Sequence, residues 1–384
     1  MPQISTSTQI LLATLTLSIG ASLQAVEITV CPAGCDQATI QAGIDAAGPG
    51  DSVIVTPDEY RENINLNGKE ITLTSSEDEL FVILKPAPGT PDEPVVSITS
   101  GNVNSTIIGF DIRNGVTTGN GAGIRIENST AETRTLIFQR CVVSRNQTDE
   151  NGAGVSVSGA NSLVTFTNCT FSNNSAGGNG GGMTIEIDAV VTLEGCRFQR
   201  NAAGGLTSAS GGGLNISDAD ATITGCSFNI NVAPENGGGL NMDCGEGFKV
   251  DLYNCAFSSN SAKLGGGFYG TGDAKFTVKY SLFKKNTATT NGGGLAFDRL
   301  RNSVGKFNTI KRNVAFDNGG GLYVAYKNLT FNYLTITKNT SVNGGGVDAN
   351  NARVKLYDSR VCKNEGGNTN GNVVAKSDTQ ICSD

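Results

Sequence analysis

Acidic residues gather near the middle of the chain. Glu186 and Asp188 are followed one repeat later by Asp218 and Asp220, and then by Asp243. Hard cations such as Ca2+ take carboxylate and other oxygens at about 2.4 Å, so these five are the candidate metal ligands. A wider acidic series, Glu127, Glu186, Asp243 and Asp298, falls four positions after successive glycine clusters in alternate repeats. Two strand spacings, about 9.6 Å, would separate its members, too far for that series alone to surround one ion. A second set occupies one equivalent position in each repeat: Arg125, Ser156, Thr184, Asn215, Asn241, Tyr269, Ala296, Tyr323 and Asp348. Thr184, Asn215, Asn241, Tyr269 and Tyr323 are its candidate glycan-binding members, since amides bond sugar hydroxyls and tyrosines pack on pyranose faces.

The absences narrow the chemistry. With no histidine among 384 residues, imidazole acid–base catalysis, Ser-His-Asp and Cys-His nucleophiles and the commonest zinc ligand are excluded. A net charge of −7 argues against a nucleic-acid partner, which demands a basic footprint. The glycine clusters lack G-x-G-x-x-G spacing and recur in every repeat, so they read as corners rather than phosphate loops.

What must position these residues is written in the repeats. Asn146, Asn174, Asn201, Asn231, Asn260, Asn286, Asn313, Asn339 and Asn364 follow one another at intervals of 25 to 30 residues. Five consecutive copies close a C-x-F-x-x-N or S-x-F-x-x-N phrase, and a glycine cluster follows each Asn, mostly Gly-Gly-Gly. Self-similarity at this period marks a stacked-coil solenoid.

Within 211–231, Leu214 and Ile216 alternate with polar residues, as do Ala221 and Ile223, then Cys226 and Phe228. That gives three short strands and three bends in one coil. Identical residues recur coil after coil, and only parallel in-register stacking sets like upon like. Phe171, Phe198, Phe228, Phe257 and Phe283 should form a stacked column, continued by Ile310, Ile336 and Val361. The ladder Asn suits a left-handed turn and can bond both neighbouring coils, and glycine supplies positive φ at the corner. The phrase Ser303-Val-Gly-Lys-Phe307 fits least well and suggests a one-residue bulge.

At the start, an apolar run over 10–21 followed by Ser-Leu-Gln-Ala reads as a signal peptide over 1–25, leaving 26–384 as one secreted domain with no further membrane span. Residues 38–47 form a short amphipathic helix within an N-terminal cap (36–50), because a solenoid end exposes its core. Residues 365–384 are expected to cap the other end. Of ten cysteines, Cys141, Cys169, Cys196, Cys226 and Cys255 stand five residues before a ladder Asn and should stack as buried thiols. The candidate disulfides are Cys31 with Cys35 and Cys362 with Cys382, while Cys244 has no obvious partner.

The stretch TIQAGIDAAGPGDSVIVTPDEYRENI (39–64) resembles the start of right-handed parallel β-helices of the pectin-lyase-like superfamily. The F-x-x-N and GGG-apolar phrases are similar to those of chlamydial polymorphic outer-membrane protein repeats. The resemblance spans roughly 36–364 and implies an all-β, right-handed parallel β-helix of about 10–12 coils, a rod roughly 50–60 Å long. It implies function poorly, since one fold hosts lyases, hydrolases, esterases and adhesins. The polygalacturonase-like N-T-D, D-D and G-H-G signatures are missing, as is the D-F-I-F-G strand of pectin methylesterase-like members.

Three expectations follow. The first is a secreted or surface-bound monomer, non-catalytic and adhesin-like, that holds a polysaccharide or cell-surface glycan. The second, implied by pectate-lyase-like relatives, is a Ca2+-dependent polysaccharide lyase acting by β-elimination. There Glu186, Asp188, Asp218, Asp220 and Asp243 would hold the ion, with Arg125, Arg197 or Lys263 as base. The third is a structural envelope component.

Overall fold

The computed structural model describes residues 25–77, 81–90, 92–99, 104–130, 133–204, 208–300 and 302–383. The signal peptide expected over 1–25 lies outside them, Ala25 excepted. The described chain winds into a parallel β-solenoid of about 12 turns. A representative coil runs Met183–Glu186, Val190–Glu194, Arg197–Gln199 and Ala202–Ala203. The first two strands belong to a long sheet of 24 strands and the third to a second sheet of 13. The fourth joins one of two corner sheets of 4 and 3 strands. Only two residues long, that fourth rung is too short for period-2 alternation to reveal it.

Register keeps like upon like. Phe198 pairs with Phe171 below and Phe228 above, and the rings from Phe171 to Phe283 stack with centroids 4.6, 4.8, 4.5 and 4.8 Å apart. Ile310, Ile336 and Val361 continue the column. The five column cysteines and Cys244 are buried free thiols. Burial pushes the thiols of Cys244 and Cys255 up to about 11, which keeps them protonated and inert. Disulfides join Cys31 to Cys35 and Cys362 to Cys382.

The ladder asparagines hold one corner. Asn201 Oδ1 accepts from the backbone N (3.1 Å) and Nδ2 (3.0 Å) of Asn174, and its Nδ2 donates to Phe171 O (2.9 Å) and Asn231 Oδ1 (3.0 Å). Each amide thus closes its hydrogen bonds on adjacent coils. The left-handed residue is the one before it, as at Arg200 (φ 53°), Lys285 (57°) and Lys338 (58°), which corrects the expectation placed on the Asn itself. The bulk of the corner is set by the third glycine of each triplet. A Cβ on Gly213 would lie 2.5 Å from Gly239 O and 3.2 Å from the Asn231 amide.

One further expectation is corrected. The strand Asn302–Lys306 pairs in unbroken register with Lys275–Lys279, so there is no bulge. Gly305 takes an inward position, and a Cβ there would lie 2.2 Å from the Phe331 ring, whose volume fills the gap. Towards the C-terminus, Thr369–Lys376 pairs with Val347–Tyr357, and Gln380–Ile381 with the strand at Arg360, adding a last coil. At the opposite end, helix α1 (Ile40–Ala46) buries Ile40 and Ile44, with Thr39 as its N-cap. Lys69 Nζ donates to three carbonyls at its C-terminus, those of Ile44, Asp45 and Ala47.

Candidate functional site

The stripe expected on the first strand of each coil is a true register column. Arg125, Ser156, Thr184, Asn215, Asn241, Tyr269, Ala296, Tyr323 and Asp348 pair in that order. It is no flat open surface, however. From Ser156 to Asp348 every member is buried, although all point away from the core. The loop before each glycine triplet folds over them, and its first glycine packs on the column: a Cβ on Gly211 would lie 2.8 Å from Asn215 Cβ, and one on Gly265 2.8 Å from Tyr269 Cβ.

Between loop and sheet lies a polar groove of 350 Å³. Its floor is Asn215, Asn241 and Tyr269, and its outer edge is Glu186, Ser217, Asp243 and Thr271. Asn179, Ser208, Ser210 and Asn236 form the facing wall. Sequence reasoning missed that wall, although its signal was present. Asn120, Asn151, Asn179, Asn236, Asn291, Asn318 and Asn343 each stand immediately before a glycine cluster, as a second ladder. Asn151 Oδ1 accepts from Asn179 N (2.7 Å), and Asn179 Oδ1 from Ser210 N (2.8 Å).

Both amide series break in the same coil. On the floor, Asn241 Nδ2 donates to Asn215 Oδ1 (2.8 Å), Asn215 Nδ2 to Thr184 Oγ1 (3.3 Å), and Thr184 Oγ1 to Glu186 Oε1 (2.9 Å). The chain begins at Asn241, because the next residue in the column, Tyr269, turns its hydroxyl to Asp298 Oδ2 (3.4 Å). On the wall, the next coil is one residue shorter between its ladder Asn and its glycines and presents Leu264. Leu264 N donates to Glu235 O, and its side chain has nothing to offer Asn236. Asn241 Oδ1 and Asn236 Oδ1 are therefore buried acceptors without a protein donor. Each such group costs about 1–3 kcal/mol unless something supplies a proton.

The acidic residues also fall into a column: Glu127, Ser158, Glu186, Ser217, Asp243, Thr271, Asp298. Hydroxyls alternate with carboxylates, which keeps like charges from facing one another across a single rung. Desolvation, and then the charge of Asp218, raises the Asp243 carboxyl above the usual range. Burial, and then the Asp298 carboxylate, holds the Tyr269 hydroxyl well above its ordinary value, so it stays a donor.

The five carboxylates expected to hold Ca2+ do not all face one space. Glu186 and Asp243 edge the groove, and Glu186 also lines, with Asp188 and Asp218, a neighbouring hollow of 550 Å³ beside Ile187 and Phe248. Asp218 Oδ1 accepts from Gly245 N (2.7 Å) and Asp220 Oδ1 from Lys249 N (2.7 Å). Among the described residues no three acidic, cysteine or histidine side chains could hold a metal ion.

The candidate bases are also elsewhere. Arg125 lies two rungs below Thr184 and donates to Asn120 O (2.7 Å). Arg197 is on the second sheet, and Lys263 pairs with Glu235 (3.1 Å). Tyr323 sits two rungs beyond Tyr269, where its hydroxyl accepts from Asn350 Nδ2 (2.9 Å), outside the groove.

Residues 95–279 match the family model described as a right handed beta helix region. The solenoid is a right-handed parallel β-helix. Among solved structures, the chain is similar to a mannuronic acid specific polysaccharide family 6 lyase from human gut microbiota (TM-score 0.49, 13% identity, 91% of this chain and 83% of that one). It is also similar to bacteriophage CBA120 tailspike protein 3 (TM-score 0.46, 12% identity, 86% and 56%). A third is the A-module of the Azotobacter vinelandii mannuronan C-5 epimerase AlgE4 (TM-score 0.43, 12% identity, 90% and 92%). At these identities the likeness is one of fold. No curated protein matches the sequence. Among the described residues, no helix of the β-helix is long and apolar enough to cross a membrane.

Proposed function

We propose that the protein is an extracellular or surface glycan-binding β-helix, adhesin-like, that seats a neutral or amino-sugar chain in the polar groove. The observation that carries this reading is the pair of bare amide oxygens, Asn236 Oδ1 and Asn241 Oδ1, in one coil. Both need donors, as do the carboxylates of Glu186 and Asp243 beside them, and sugar hydroxyls or amines supply donors. Uronate chains bring more negative charge and suit this groove poorly. The two disulfides support an oxidising, extracellular setting. An array of neutral, amino and uronic glycans tests the reading. Retention of neutral or amino-sugar chains, lost in Asn236→Ala and Asn241→Ala, is expected; a blank array would sink it.

One observation favours hydrolysis of the bound chain as a second reading. Glu186 and Asp243 stand two rungs apart in one column, a spacing of about 9.6 Å along the axis. Inverting glycosidases hold their two carboxyl groups roughly 6.5–9.5 Å apart, so this backbone spacing lies just beyond the upper end, and their acid's pKa is raised as that of Asp243 is. New reducing ends from a retained glycan, abolished in Asp243→Asn, would support hydrolysis; their absence leaves binding alone.

A further inference from the structure

Charge is segregated along the chain. Residues 1–248 carry ten Lys and Arg against twenty-six Asp and Glu, whereas residues 249–384 carry eighteen against nine. In the last coils much of that positive charge lies on one face, the second sheet and its two flanking corners. Lys284 and Lys311 are register partners on the sheet. Lys285, Arg312, Lys338 and Lys363 occupy the left-handed position before the ladder Asn in four successive coils, and all four are exposed. At the other corner Lys279 pairs in register with Lys306. Carboxylates at this face include Asp358 and Asp378 at that corner and Glu365 just after Asn364, and among the described residues none of these cations forms an ion pair. In earlier coils the positions before the ladder Asn hold Arg145, Asn173, Arg200, Ile230 and Ser259, so cations there are interrupted rather than consecutive.

The aromatic residues change with the charge. The left-handed turn between the long and second sheets is filled by Asn168, Gly195, Gly225 and Asn254 in four earlier coils, types that accept positive φ readily. In the basic coils it is filled by Tyr280 (φ 55°), Phe307 (58°) and Tyr333 (54°). Bulky residues are outliers there, yet these three are exposed and stacked, with centroids 5.0 and 4.6 Å apart and planes within 6° and 10°. Lys306 Nζ lies 5.1 Å from the Phe307 centroid and 5.5 Å from that of Tyr333. Rings stacked along the solenoid axis turn their edges to solvent, and ring edges carry the positive end of the aromatic quadrupole. The ladder and the lysines therefore present the same sign.

We infer that this face binds an anionic polysaccharide, uronate or sulfated, lying along the axis. Cations recur once per rung, about 4.8 Å apart. That matches one charge per sugar better than duplex DNA, which carries a charge every ~1.7 Å. Single-stranded nucleic acid needs free aromatic faces to stack its bases, and here the rings cover one another's faces. The inference is independent of the groove, which lies on the other sheet and selects against uronates.

The test is binding of the full chain to polygalacturonate and to a single-stranded oligonucleotide at 50 mM and 200 mM salt. Polygalacturonate should bind in a salt-sensitive way. The triple variant Lys285→Gln, Arg312→Gln, Lys338→Gln should weaken it by at least about tenfold at low salt. Tyr333→Asn should weaken it further without lowering Tm, since Asn fits the turn. Arg145→Gln with Arg200→Gln, at the same corner of earlier coils, and Asn241→Ala in the groove should both bind like the parent. Unchanged affinity in the triple variant, or tighter binding of the oligonucleotide than of polygalacturonate, would overturn the inference.

Discussion

Asn231 and Asn241 stand ten residues apart, are both buried, and both belong to columns of amides running along the same axis. Asn231 is closed: its Oδ1 accepts from Asn201 N and Nδ2, and its Nδ2 donates to Phe198 O and Asn260 Oδ1. Asn241 is open: its Nδ2 is used, and its Oδ1 is bare. Residue type, burial and stacking are shared, so none of them distinguishes scaffold from site. What differs is the neighbouring coil. Where the next rung repeats the amide, the hydrogen bonds close on themselves. Where it presents Tyr269 or Leu264 instead, an acceptor is left for something else.

The largest effect should come from opening the closed ladder. Asn231→Ala removes the side-chain acceptor of Asn201 N and one hydrogen bond each from Asn201 Nδ2, Phe198 O and Asn260 Oδ1, and it should destabilise by on the order of 3 kcal/mol. Denaturant titration checks this, and the loss should arise whether or not glycan is present. Closing the open ladder should act in the opposite sense and less strongly. Leu264→Asn places an amide donor beside Asn236 Oδ1, as Asn318 Nδ2 already donates to Asn291 Oδ1 (2.8 Å). It should stabilise by about 1 kcal/mol while weakening glycan retention, because the groove loses a free acceptor. A destabilised variant, or one that binds more tightly, contradicts the comparison.

The smallest effect concerns Asp348, further along the floor column. Burial raises its carboxyl pKa, an effect that the Asn370 hydrogen bond opposes. A carboxyl raised in the folded state contributes stability below its unfolded pKa, near 3.9, and loses that contribution as pH rises through the folded value. At neutral pH the buried charge is therefore a liability. Asp348→Asn should raise Tm by about 2 °C at pH 7, with the advantage vanishing below about pH 3.9. A gain that grows on acidification would mean that the charged form is the stabilised one.

Much of the fold was legible because a β-helix writes its geometry as repetition. The Phe and Cys columns, the ladder Asn and the floor column from Arg125 to Asp348 all fall where their spacing puts them. The site was only half legible. Sequence spacing gave Asn215, Asn241 and Tyr269 as neighbours, but not that loops bury them, since loop closure depends on glycines packing on column residues in three dimensions. The far wall was written as Asn immediately before glycine, yet its importance lies where Leu264 replaces that Asn, one of two coils in which the pattern fails (Ser210 is the other). The acidic residues were legible as a cluster, but not that Asp218 and Asp220 each accept a backbone hydrogen bond, from Gly245 and Lys249, on the following coil.

The most direct measurement compares Asn241→Ala with the parent by calorimetric titration against a glycan retained on the array, with Tm recorded alongside. The substitution removes one bare oxygen and leaves another, Asn215 Oδ1, in its place, so stability should stay within about 1 kcal/mol. Affinity should fall about tenfold, the loss of one buried hydrogen bond of roughly 1.4 kcal/mol. Unchanged affinity, or a fall in Tm as large as that of Asn231→Ala, would show that Asn241 is scaffold and that the groove is not where the glycan binds.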